Sequence, residues 1–129
     1  NLVKLPKFDD MVKEFLSYSE NHHEPRTYEL HDDNCNTLLR WFRGKRLDEI
    51  SPKLAEKFKE ERSQEKCSNN KERTISPATV NRGLTTLKAL YNHAINIHEL
   101  PVKNSTQKVK YQEEVPKEIK ILTLQEEED

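Results

Sequence analysis

Apolar side chains recur along this chain at intervals of three and four, the spacing of one helix face rather than of a strand. Phe8, Met11, Val12, Phe15, Leu16 and Ser19 predict a first helix from about Lys7 to His22, with Asp9 and Asp10 set against the positive end of its dipole. After a polar break at His22–Arg26, Thr27 is expected to cap a second helix running to about Arg43. Tyr28, Cys35, Leu38, Leu39 and Phe42 form its buried stripe, Trp41 is partly exposed, and Gly44 closes it. Ser51-Pro52 starts a third helix to about Gln64 through Leu54, Ala55, Phe58 and Arg62. Ser76-Pro77 starts a fourth, to about Leu100, with Val80, Leu84, Leu87, Tyr91, Ala94, Ile95 and His98 on one side. The chain has only two glycines, which argues against a strand-and-turn architecture. The expected fold is all-α: a small four-helix bundle over residues 1–103, followed by an extended segment, 104–129.

The fourth helix has more than one face to use. Asn81, Thr85, Lys88 and Asn92 line one flank, and Thr79, Arg82, Thr86 and His93 lie further round, with no carboxylate before Glu99. Hydroxyls, amides and cations without acid are what phosphate oxygens require. An ordinary solvated face has the same periodicity, but this chain carries 23 acids, so their absence here favours binding.

The run Ser76-Pro-Ala-Thr-Val-Asn-Arg82, with Leu84, Leu87-Lys88-Ala89, Tyr91-Asn92 and Ala94-Ile95, resembles the last main helix of the core-binding, SAM-like domain of tyrosine recombinases, the phage-type integrases. Arg26-Thr27-Tyr28 resembles the family's helix start that faces DNA, and Leu47-Asp48-Glu49-Ile50 its short connector. Asn104-Ser105 stands where the family commonly has Asn-Pro, and the polar loop 65–75, with Lys71 and Arg73, is longer than the family usually needs. The resemblance implies the DNA-clamping half of such an enzyme. Residues 112–121 then read as an interdomain linker. Thr123 and Glu126, at capping-box spacing, read as the start of a catalytic domain whose nucleophilic tyrosine and cations would lie beyond Asp129.

Charge and cysteine content narrow the picture. From residue 112 onward seven acids face two bases, a balance of -5, leaving 20 bases against 16 acids, +4, in the helical body. A mildly basic body permits nucleic-acid binding. Arg40, Arg43, Lys45 and Arg46 are its densest cluster, part of which serves the carboxyl end of the second helix. The interleaved lysines and glutamates of the third helix read as a solvated, ion-paired face. Cys35 falls on an apolar face and Cys67 in a polar loop, so a disulfide is not expected and a reducing cytoplasm fits. The chain starts at Asn1 and reads as a domain excised from something longer.

His22, His23, Glu24 and His31 match no metal-ligand pattern, and no metal, cofactor or small-molecule ligand is expected. Without positioned cations Tyr18, Tyr28, Tyr91 and Tyr111 are poor nucleophiles, so no cutting activity is expected of the chain itself. Two functions remain. In the first, the bundle lays the helices beginning near Thr27 and Ser76 on duplex DNA through Arg26, Thr27, Tyr28, Lys45, Thr79, Asn81, Arg82, Thr85 and Lys88. Most of these contact phosphate, and Asn81 and Lys88 are assigned to base edges. The resemblance implies a parent that assembles as a tetramer on DNA; the fragment itself is expected to be monomeric, and with no apolar run of membrane length no membrane partner is expected. In the second, the bundle is a protein-interaction module whose acidic tail docks a basic partner.

Overall fold

Both Ser-Pro starts form as their chemistry requires. Ser51 Oγ accepts the Leu54 N–H and Ser76 Oγ the Thr79 N–H, each at 3.3 Å, with Pro52 and Pro77 in the first turn. In the computed structural model, which describes residues 5–67, 72–104, 106–107 and 109–112, they open α3 (Pro52–Ser63) and α4 (Pro77–Asn96). These follow α1 (Phe8–His22), α2 (Pro25–Phe42) and a short 3-10 turn, Leu47–Glu49. Among the described residues there is no strand, only two isolated bridges, Lys7 with Arg46 and Lys66 with Thr74. The expected all-α four-helix class holds.

Two boundaries differ from expectation. α2 begins at Pro25, with Glu24 at the cap and no side-chain cap bond, so Thr27 lies inside the first turn. Proline's fixed φ sets the start here without a capping hydroxyl. α4 stops at Asn96 because Glu99, at φ 53, turns the chain back and lets Leu100 N–H donate to Ala94 O at 3.1 Å. His98, expected on the buried stripe, is therefore exposed.

α1, α2 and α4 pack on one another around Phe8, Phe15, Leu38, Phe42, Leu84, Leu87, Leu90 and Tyr91, all at most 3% exposed. Each such Leu or Phe contributes roughly 1.5–3 kcal/mol by leaving water. α3 closes against the first half of α4. Phe58 sits edge-on to Trp41, beside Phe42, and directly over Gly83.

The corner after α2 is stitched to the start of α1. Gly44, at φ 83, ends the helix in the left-handed region and donates its N–H to Asp9 Oδ1 at 2.7 Å. Phe8 N–H donates to Lys45 O at 2.7 Å, and Leu47 N–H to Pro6 O at 3.2 Å. Tyr91 ties α4 to the same corner by donating its hydroxyl to Leu47 O.

The packed body runs past residue 103. Asn104, Thr106 and Val109 are buried, and Val109 joins the core. Asn104 gives its amide N–H to Lys88 O and Asn92 Oδ1, at 3.4 and 3.2 Å, while its Oδ1 accepts from the Thr106 N–H and hydroxyl.

Candidate nucleic-acid interface

Exposed Arg82 and Thr85, with half-buried Lys88, stand on one side of α4, and no Asp or Glu occurs between Pro77 and Asn96. Among the described residues no carboxylate pairs with Arg82 or Lys88. Lys88 Nζ instead sits over the Tyr111 ring, 4.3 Å from its centre, and the Thr85 hydroxyl donates to Tyr111 Oη at 3.0 Å. Thr79 is half-buried and lies 3.1 Å from Ser76 Oγ, within the cap. Asn81, assigned to a base edge, is only 6% exposed. Its Nδ2 donates to Gln112 O at 2.8 Å and its Oδ1 accepts the Gln112 N–H at 2.7 Å.

Two residues placed on the polar side of α4 are inside the bundle. Thr86 accepts from Asn34 Nδ2 at 3.1 Å, and His93 lies among Phe15, Tyr18 and His98. With α1, α2 and α3 all packed on it, α4 buries more of its circumference than one stripe.

The other candidates form separate groups. Asn34 meets Thr86, whereas His31, a turn earlier, packs on Phe15, which itself meets His93; α2 thus runs antiparallel to α4. Counting six residues back from Asn34 to Tyr28, and four from Thr86 to Arg82, puts the two groups roughly 15 Å apart along the bundle. Arg26 is exposed and 3.7 Å from Glu29, and Thr27 is half-buried. The Tyr28 hydroxyl is held above its ordinary pKa by the Glu20 carboxylate, by desolvation and by Asp32, so it remains a neutral donor.

Within the basic cluster, Arg40 pairs with Glu65 and covers the Trp41 ring, and Arg46 pairs with Asp48 at 3.1 Å and Glu49 at 3.9 Å. Burial pushes the Glu65 carboxyl up, but bonds from Arg62 and Arg40 together outweigh it and hold the pKa below its ordinary value. Arg43 and Lys45 have no carboxylate partner among the described residues, Arg43 being exposed and Lys45 half-buried. The base of the polar loop is anchored by Cys67 N–H to Arg73 O and Ile75 N–H to Glu65 O, both at 2.8 Å. Lys71, Thr123, Glu126 and the acidic tail lie outside the described residues.

All five histidines gather at the far end of α1, α2 and α4. Buried Ser19 shares its hydroxyl between His23 Nδ1 at 2.8 Å and His31 Nδ1 at 2.9 Å, and His93 and His98 bring their Nε2 atoms within 3.0 Å. Burial, then neighbouring His23, lowers the His31 pKa; burial and His98 lower that of His93 against an opposing pull from Glu14. Among the described residues no three His, Cys, Asp or Glu side chains form a metal-binding group. His23-Glu24-Pro25-Arg26 has His-x-x-Arg spacing, where none was expected. There His23 shares the Ser19 hydroxyl and Arg26 lies 3.7 Å from Glu29. Both thiols are free, and burial pushes the Cys35 pKa up to about 12. No helix among the described residues is long and apolar enough to cross a membrane.

Sequence reasoning missed Asn104, Tyr111 and Gln112. Only Asn104, which stands at the Asn of the family's Asn-Pro, carried a signal. The chain matches the family model of the phage integrase SAM-like domain over residues 7–111. No curated protein and no solved structure matches it.

Proposed function

Because the chain belongs to the phage integrase SAM-like domain family, we propose that it grips duplex DNA at a recombination core site as the non-cutting half of a tyrosine recombinase. The observation that carries this reading is the carboxylate-free length of α4, with exposed Arg82 and Thr85 beside Lys88, in a chain holding 23 acids. Arg82 is the phosphate contact. Lys45, Arg26, Thr27 and Tyr28 are supplementary contacts on the other two groups, and Thr79 adds a hydroxyl at the α4 start. Asn81 and Lys88 reach bases only when released from residues 111 and 112. The chain holds the helix and fixes register while catalytic groups from a separate domain cut; in the parent enzyme this happens within a tetramer. A reducing, cytoplasmic setting agrees with the two free thiols.

Fluorescence anisotropy of a labelled duplex of ~30 base pairs, at several salt concentrations, tests the reading. Affinity should fall with salt, and Arg82→Ala should flatten the slope of log affinity against log salt by about 0.9, one phosphate contact. Salt-insensitive binding, or an unchanged slope in folded Arg82→Ala, would refute it and favour the protein-interaction reading.

A further inference from the structure

The α4 flank assigned to DNA is occupied by the chain itself. Residues 109–112 cross it with every residue held. Val109 is 3% exposed, in the core; Lys110 O accepts from Lys59 Nζ at 2.9 Å; Tyr111 lies under Lys88 and beside Thr85; and the Gln112 backbone pairs with both ends of the Asn81 amide. We infer that residues 110–112 are a displaceable strap, rooted at Val109, which covers the Asn81, Thr85 and Lys88 flank and which duplex DNA must lift to reach it. This deepens the DNA reading and rests on it.

The contacts have the chemistry of a competitor. A peptide N–H and C=O offered together to an asparagine amide present one donor and one acceptor, the two-point pattern an adenine edge presents in the major groove. The Tyr111 ring holds the Lys88 ammonium by its π face, which keeps it from the base edge it would otherwise reach. Thr85 spends its hydroxyl proton on Tyr111 Oη. The root and the strap differ in kind. Val109 is buried and its N–H is bonded to Thr106 O at 3.0 Å, whereas Tyr111 is 45% exposed and its contacts border water, which can replace them. Lifting residues 110–112 therefore leaves the core intact.

The test measures duplex affinity at ~100 mM salt for the unaltered chain and for two strap variants. Tyr111→Ala removes the ring and hydroxyl; Gln112→Pro removes the N–H given to Asn81. Both should bind about 5–20-fold tighter, with helicity and thermal transition retained. Equal or weaker binding by both, while Arg82→Ala still weakens binding, overturns the strap and leaves the DNA reading standing. No binding by any variant overturns both. In the unaltered chain, saturating duplex should speed hydrogen exchange at the Gln112 amide and leave Val109 protected; a Gln112 amide that stays equally or better protected also overturns the strap.

Discussion

Replacing Gly83 by alanine sets two principles against each other, and the structure decides between them. Alanine at a helix interior is favoured over glycine by about 1 kcal/mol, so by helix propensity alone Gly83→Ala should stabilise. A Cβ at this position, however, falls 2.9 Å from Phe58 Cζ and 3.4 Å from Cε2. The ring cannot retreat cheaply: Phe58 is fully buried, with the Trp41 ring centre 4.9 Å away and that of Phe42 6.1 Å away. Overpacking of this kind costs about 1–3 kcal/mol. Allowing for the propensity gain, the expected net loss is about 0–2 kcal/mol, a fall in Tm of roughly 4–8 °C for each kcal/mol in a domain near this size. Thermal and urea unfolding followed by circular dichroism would measure it. In a Phe58→Leu background, where Cζ and Cε2 are gone, the same alanine should be neutral or stabilising, giving a coupling of about 1–3 kcal/mol between the two sites. A Tm that rises in Gly83→Ala alone would refute the argument that α3 and α4 meet at a contact only glycine fits.

The remaining predictions concern the histidine end and the return segment. His31 and His93 have lowered pKa values, so the unfolded chain binds protons more readily than the fold does. Their neutral-state stability is complete above the ordinary value of 6.5 and should be lost as pH falls below it. A Tm that drops between pH 7.5 and 5.5, and drops less in His93→Gln, is the expected outcome; a flat or rising Tm over that range would contradict it. Glu65, held below its ordinary 4.5, loses its contribution only at lower pH, so the windows separate. Asn104→Ala should cost about 2–3 kcal/mol in urea unfolding, because it strands the Thr106 N–H and hydroxyl inside the fold. A loss below about 0.5 kcal/mol would refute that role.

Local chemistry was legible where the cause of a feature is local. Ser51-Pro52 and Ser76-Pro77 announce their helices because cap and first turn are neighbours in sequence, and Gly44 marks a helix end for the same reason. Thr27 misled because a hydroxyl at a plausible cap position competes with a proline two residues earlier, and the proline set the start. The burial of Thr86 and His93, and of Leu90 outside the expected stripe, follows from how many elements pack on α4. Periodicity on one helix reports only that a buried side exists, not how wide it is. The Asn81 pairing with Gln112, 31 residues away, has no local signature at all, since it depends on where the chain returns after α4.

The stitch between the start of α1 and the corner after α2 makes part of the positive surface conditional on folding. Asp9 and Gly44 are 35 positions apart, and with Phe8 and Pro6 they fix the Gly44–Leu47 turn from outside it. Closing that span costs chain entropy that the turn alone does not recover, so the corner that carries Lys45, whose carbonyl accepts the Phe8 N–H, is fixed in full only when the first two helices have met. An incompletely folded chain carries the same cations, scattered along a flexible segment and able to attract any polyanion. The closed bundle holds them at one address, which couples the display of charge to the integrity of the fold.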